Sequence, residues 1–187
     1  MMRLTLPTML TLFRIALLPV MVIVFYAPFL GANIAASGVF IAAALTDWLD
    51  GWVARRYGMY SKFGEFLDPV ADKLMVTTTL CLLVQDNPTI PLAIMSAVII
   101  GREITISALR EWMAEIGERA RVKVAGIGKI KTIAQLVALV VLLYQKDLDG
   151  YGLFHVGEVL LGLAALLTIW SGIVYVRAAW PVLRTER

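Results

Sequence analysis

Residues 47–72 read DWLDGWVARRYGMYSKFGEFLDPVAD. Four aspartates, Asp47, Asp50, Asp68 and Asp72, stand here in otherwise apolar surroundings. A carboxylate at membrane depth costs about 3 kcal/mol on insertion scales, so four without counter-charge would cost on the order of 10 kcal/mol. The reading of this stretch turns on what offsets that charge. On helices, Asp47 and Asp50 share a face, and so do Gly64, Asp68 and Asp72 at successive four-residue steps. Gly58 marks a turn between the two helices. About a turn near Met59, Asp47 lies level with Asp72 and Asp50 with Asp68, each about 15 Å along the helix axis from the turn. Four carboxylates are therefore expected to meet at one depth on two antiparallel helices.

Outward from this hairpin the chain is apolar almost throughout. Its 187 residues are 60% hydrophobic and 17% charged, with a mean hydropathy of +0.81. Those values predict an all-α integral membrane protein, a single transmembrane domain over residues 1–187. Six membrane spans are expected, near 8–29, 34–56, 62–84, 89–114, 127–144 and 156–180. A short amphipathic start over residues 1–9 precedes them, with Thr8 as helix N-cap. No cleavable signal peptide is expected.

Six spans put both termini on one side. Fifteen of the 17 Lys and Arg residues fall in the N-terminal region, after spans two and four, or at the C-terminus; Lys146 alone falls on the other side and Lys73 within a span. This bias predicts that the termini and the aspartate hairpin are cytoplasmic. Arg14 is read as a snorkelling charge. Trp48, Trp52, Trp112 and Trp180 are expected in the interfacial belt. Gly157, Gly162, Ala164 and Ala165 suit close helix packing. With one cysteine, Cys81, and one histidine, His155, a disulfide framework is excluded, and Cys- or His-based zinc sites are not expected.

The donor set at the hairpin is all oxygen. That chemistry suits Mg²⁺ or Mn²⁺, and four aspartates suit two ions with shared carboxylates, an arrangement that acts on phosphates. Gly51 and Gly64 leave room beside the acids, Ala54 is small and one turn from Asp50, and Arg55 can grip a phosphate bidentately. Two other readings exist. The acids could form buried ion pairs with Arg55, Arg56, Lys62 and Lys73, although such pairs rarely stabilise more than apolar packing does. They could also line a divalent-cation carrier, although residues 34–44 and 76–84 offer no further acids along a path.

The spacing Asp47-x2-Asp50-Gly51-x2-Ala54-Arg55-x8-Gly64-x3-Asp68-x3-Asp72 resembles the complete signature of the CDP-alcohol phosphotransferases, with all eight fixed positions matched. The resemblance implies a six-span membrane enzyme, usually a homodimer, with a two-metal site in the hairpin. Such enzymes transfer a phosphatidyl group from a CDP-linked lipid to an alcohol and release CMP. The stretches PTMLTLFR (7–14), DPVADKL (68–74), GREITISALREWMAEIG (101–117) and GKIKT (128–132) are similar to members that join CDP-diacylglycerol to sn-glycerol 3-phosphate, on the way to phosphatidylglycerol and cardiolipin. The same chemistry on another acceptor, serine or inositol phosphate, is the alternative. Thr5 departs from the family, which often has asparagine there.

On this resemblance Asp47, Asp50, Asp68 and Asp72 are metal ligands, and Asp72 is also the general base. Gly51, Ala54, Arg55, Gly64 and Thr8 are expected at the CDP group. Arg102, Arg110, Lys129 and Lys131 are expected at the acceptor phosphate, with pairing to Glu103 as the other fate of Arg102. The implied place is a bacterial inner membrane, the active site facing the cytoplasm. Membrane lipids are expected partners; nucleic acid is not.

Overall fold

The computed structural model describes residues 5–117, 127–144 and 151–185, with side chains at 127–130, 151, 183 and 185 left out. These residues form six helices: α1 Leu6–Tyr26, α2 Ala32–Tyr57, α3 Lys62–Asp86, α4 Ile90–Glu115, α5 Ile127–Tyr144 and α6 Tyr151–Thr185. Their ends follow local chemistry. Pro28 follows the last turn of α1, and the residue before a proline is steered out of the helical region. Gly58 ends α2 at φ +66°, a left-handed backbone that glycine adopts without strain. Ser61 then caps α3 by accepting from the Gly64 N–H at 2.9 Å. Thr89 caps α4 through the Leu92 N–H at 3.3 Å.

The start of α1 corrects the expected cap. Thr5, not Thr8, holds the N-cap position, and its side chain makes no capping bond. Thr8 is inside the first turns and buried. Residues 6–9 of the expected amphipathic start belong to α1 itself; residues 1–4 lie outside the described part.

Among the described residues, four helices are long and apolar enough to cross a membrane: α1, α2, α4 and α6. Of the other two, α3 falls short for a visible reason. α3 carries Lys62, Glu65, Asp68, Asp72 and Lys73 in its first half. In α5 the described side chains, Lys131–Tyr144, form an apolar stretch.

Two three-helix groups make up the molecule. α1 lies against both α2 and α3, while α5 and α4 each lie against α6. α2 and α3 scarcely touch one another despite their short connection, because α1 sits between them. The main core runs through both groups, with Met21, Phe40, Leu80, Leu92, Leu139 and Leu161 among its fully buried members. At Gly157 an added Cβ would lie 2.7 Å from the Leu142 side chain, so this glycine sets the close approach of α5 and α6 within the chain.

Candidate active site

The counter-charge for the aspartates comes from α1. Arg14 is 1% exposed. Its Nη1 lies 2.9 Å from Asp47 and donates also to Asp72, and its Nη2 donates to Asp50. It is therefore not a snorkelling charge. It is a buried guanidinium whose planar fork serves three carboxylates on two helices. One turn earlier on the same face, Thr11 donates its hydroxyl to Asp68. Arg55, Arg56, Lys62 and Lys73, the ion-pair partners considered from the sequence, do not take this role.

Burial is graded across the site. The Asp50 side chain is 5% exposed, whereas Asp47 and Asp72 are 48% and 52% exposed. Asp50 forms the floor; Asp47 and Asp72 stand at the mouth and share Nη1, which agrees with their expected equal depth. Three carboxylates around one guanidinium leave two negative charges, and Asp68 on a neutral hydroxyl leaves a third. Such an excess calls for further cations. The Arg14 Nε is also buried without a hydrogen-bond partner. The all-oxygen donor set fits hard divalent ions. Among the described residues no three acidic, His or Cys side chains are grouped as ligands of a single ion; the guanidinium stands between the aspartates.

The residues expected at the CDP group divide in two. An added Cβ on Gly64 would lie 2.9 Å from Thr8 Oγ1 and 3.0 Å from Ser61 Oγ. Thr8 itself bonds Thr5 at 2.9 Å and Ser61 at 2.7 Å. The space beside Gly64 is thus filled by hydroxyls that seat α1 on α3, a packing role that the sequence reading did not foresee. Gly51, in contrast, lies under the exposed Arg55, whose Nη1 would be 3.1 Å from an added Cβ. Its bare backbone lets the guanidinium lie flat on α2 beside half-buried Ala54. Arg55 has no ion-pair partner among the described residues.

A second polar cluster joins α4, α5 and α6. Arg102 Nη2 donates to Ser171 at 2.8 Å, and Nη1 lies 3.4 Å from Glu103. Its Cζ is 5.6 Å from the Tyr175 ring centre. Lys131, 4% exposed, pairs with the same Glu103 oxygen. The structure thus unites Arg102 and Lys131, and both expected fates of Arg102 meet at one place. Arg110 lies two turns further along α4, exposed and apart from them. The Lys129 side chain lies outside the described residues.

Sequence reasoning missed Arg14, Thr11 and Ser171. A signal for the first two was present: Thr8, Thr11 and Arg14 recur every three residues in an otherwise apolar helix, a polar stripe that must face something polar. Ser171 and Tyr175 carried none, since one hydroxyl every turn is ordinary in an apolar helix.

With this geometry in view, comparison with known proteins is specific. The chain is 48% identical over 179 residues to CDP-diacylglycerol--glycerol-3-phosphate 3-phosphatidyltransferase of Yersinia pestis, covering 96% of this chain and 97% of the relative. Proteins of the same name from Pectobacterium atrosepticum and Sodalis glossinidius are 48% identical over 178 residues, covering 95% of this chain and 96% of each relative. Residues 4–170, which include every aspartate of the buried site and the Arg102 cluster up to Trp170, match one family as a unit, and the chain belongs to the CDP-alcohol phosphatidyltransferase family.

Proposed function

We propose that the protein is a CDP-diacylglycerol--glycerol-3-phosphate 3-phosphatidyltransferase, making phosphatidylglycerophosphate and CMP. The near full-length likeness to relatives of that name supports the substrates. The observation that carries the chemistry is the gathering of Asp47, Asp50, Asp68 and Asp72 onto Thr11 and Arg14, within about 5 Å along α1.

Asp47, Asp50, Asp68 and Asp72 would hold two divalent ions, Mg²⁺ or Mn²⁺, which when bound neutralise the pyrophosphate of the donor. The chain's own residues do the rest. Arg55, lying across Gly51, grips a donor phosphate. The glycerol hydroxyl attacks the lipid-side phosphorus, the bond to the CMP oxygen breaks, and CMP leaves. Asp72, at the open mouth, takes the hydroxyl proton. Arg14 fixes the Asp72 carboxylate through Nη1, so the base is oriented before substrate arrives. Arg102 and Lys131 receive the phosphate of the acceptor.

The same reading takes all six helices as membrane spans in a bacterial inner membrane, with the charged first half of α3 sheltered by its neighbours and both termini cytoplasmic. It also takes the enzyme as a homodimer among membrane lipids. The test is CMP release by purified protein from CDP-diacylglycerol with Mg²⁺ and a panel of acceptors. Release with glycerol 3-phosphate, abolished by a chelator and restored by Mg²⁺, is the expected result. Release with serine or inositol phosphate alone would overturn the acceptor. Cation flux in liposomes with no CMP release would overturn the reaction.

A further inference from the structure

The Arg102 cluster contains a carboxylate that a phosphate site does not need. Glu103 offers one oxygen to both Arg102 and Lys131. Among the three it is the most exposed, with 28% of its side chain open against 15% for Arg102 and 5% for Lys131. The cations are therefore anchored inside while their shared anion sits at the rim. Arg102 is held further by Ser171 and by Tyr175, and its Cγ lies 3.4 Å from where a Cβ on Gly172 would be. Lys131 is fixed at the start of α5.

We propose that Glu103 is a displaceable internal anion that occupies the place of the acceptor phosphate and makes acceptor binding an exchange of one anion for another. The proposal rests on the assignment of Arg102 and Lys131 to the acceptor. Two cations and one carboxylate leave a single positive charge in a largely buried place. When the carboxylate swings to water, two unpaired cations remain, which only an incoming anion can compensate. A phosphate dianion offers more charge and a third oxygen, enough for Arg102, Lys131 and Ser171 together. A neutral alcohol cannot make the exchange, so Glu103 keeps the site closed to it. Selectivity then comes partly from a group that works against the wrong acceptor. The exchange also holds two cations together between turnovers, at the expense of some affinity for the correct acceptor.

The experiment compares the wild type with Glu103→Gln and Glu103→Asp. In Glu103→Gln the KM for glycerol 3-phosphate falls about tenfold, a change worth about 1.4 kcal/mol. Competitive inhibition by inorganic phosphate tightens by a similar factor, and the KM for CDP-diacylglycerol stays where it was. Glu103→Asp, which keeps the charge, stays near the wild-type values. A raised or unchanged KM in Glu103→Gln, with phosphate inhibition no tighter, overturns the proposal. Should Glu103→Gln fail to fold, Glu103→Ser in the same two assays carries the same expectation and the same refutation. A wild type that turns over no glycerol 3-phosphate would sink the function proposed above. The anion site would then still be read by the thermal stabilisation that inorganic phosphate gives each protein: a larger gain in Glu103→Gln than in wild type supports the exchange, and an equal or smaller one overturns it.

Discussion

The protein holds two ionic clusters of opposite balance. On α1–α3 three carboxylates share one guanidinium and a fourth takes a hydroxyl, leaving three negative charges; on α4–α6 two cations share one carboxylate and leave one positive charge. Each has an internal counter-ion that limits the cost of burial in the empty protein. Neither counter-ion balances its cluster fully, and the sign of what remains matches the charge of what each is proposed to receive. An excess of carboxylate suits divalent cations, and an excess of cation suits a phosphate. The difference shows that a buried polar site can be read from its imbalance as well as from its members.

Mutations that strike one cluster and spare the other break or sharpen this contrast. The largest effect is expected from Asp72→Asn, which removes the base and a metal ligand while leaving the basic cluster intact. CMP release should fall on the order of 1,000-fold, with stabilisation by inorganic phosphate retained. Near-normal release would remove Asp72 from the role of base. Arg14→Gln comes next, since it leaves three carboxylates without their guanidinium. Metal-free protein in detergent should lose about 3 kcal/mol of stability, read by thermal unfolding, and added Mg²⁺ should recover part of it. An equal loss with and without Mg²⁺ would mean that ion and guanidinium do not serve the same carboxylates. On the other side of the comparison, Arg102→Gln should raise the KM for glycerol 3-phosphate about tenfold or more and leave the KM for CDP-diacylglycerol unchanged. A shift in both would show that the two clusters are not separate sites. The smallest effect is structural. Gly64→Ala, crowding Thr8 Oγ1 at 2.9 Å, should cost about 1 kcal/mol. Gly101→Ala, with nothing within 4 Å, should be neutral or slightly stabilising in the same melt.

Most helix boundaries were legible in the sequence because glycine, proline and hydroxyl caps act locally: the turn at Gly58 and the span starting at Lys62 coincide with the observed ends. Equal depth for Asp47 and Asp72 was legible too, since rise per residue is fixed. The identity of their counter-ion was not. It depends on α1 entering between α2 and α3, a long-range packing event with no local signature. The same event gives Gly64 a packing role beside Thr8. The acceptor side was half legible. Charges in α4 and α5 stood out against apolar sequence, but the hydroxyl and ring on α6 that complete the cluster looked like any other turn of that helix.

The place of Arg14 on the first helix has a consequence for biosynthesis. In the proposed six-span arrangement, α1 leaves the ribosome before its partners exist, with an arginine near its middle that opposes stable insertion by about 3 kcal/mol. The partners arrive in two instalments, Asp47 and Asp50 with α2, then Asp72 with α3. In that arrangement the charge of the first helix is compensated only once its successors have been made, so the pairing of α1 with α2 and α3 is tied to the order of synthesis.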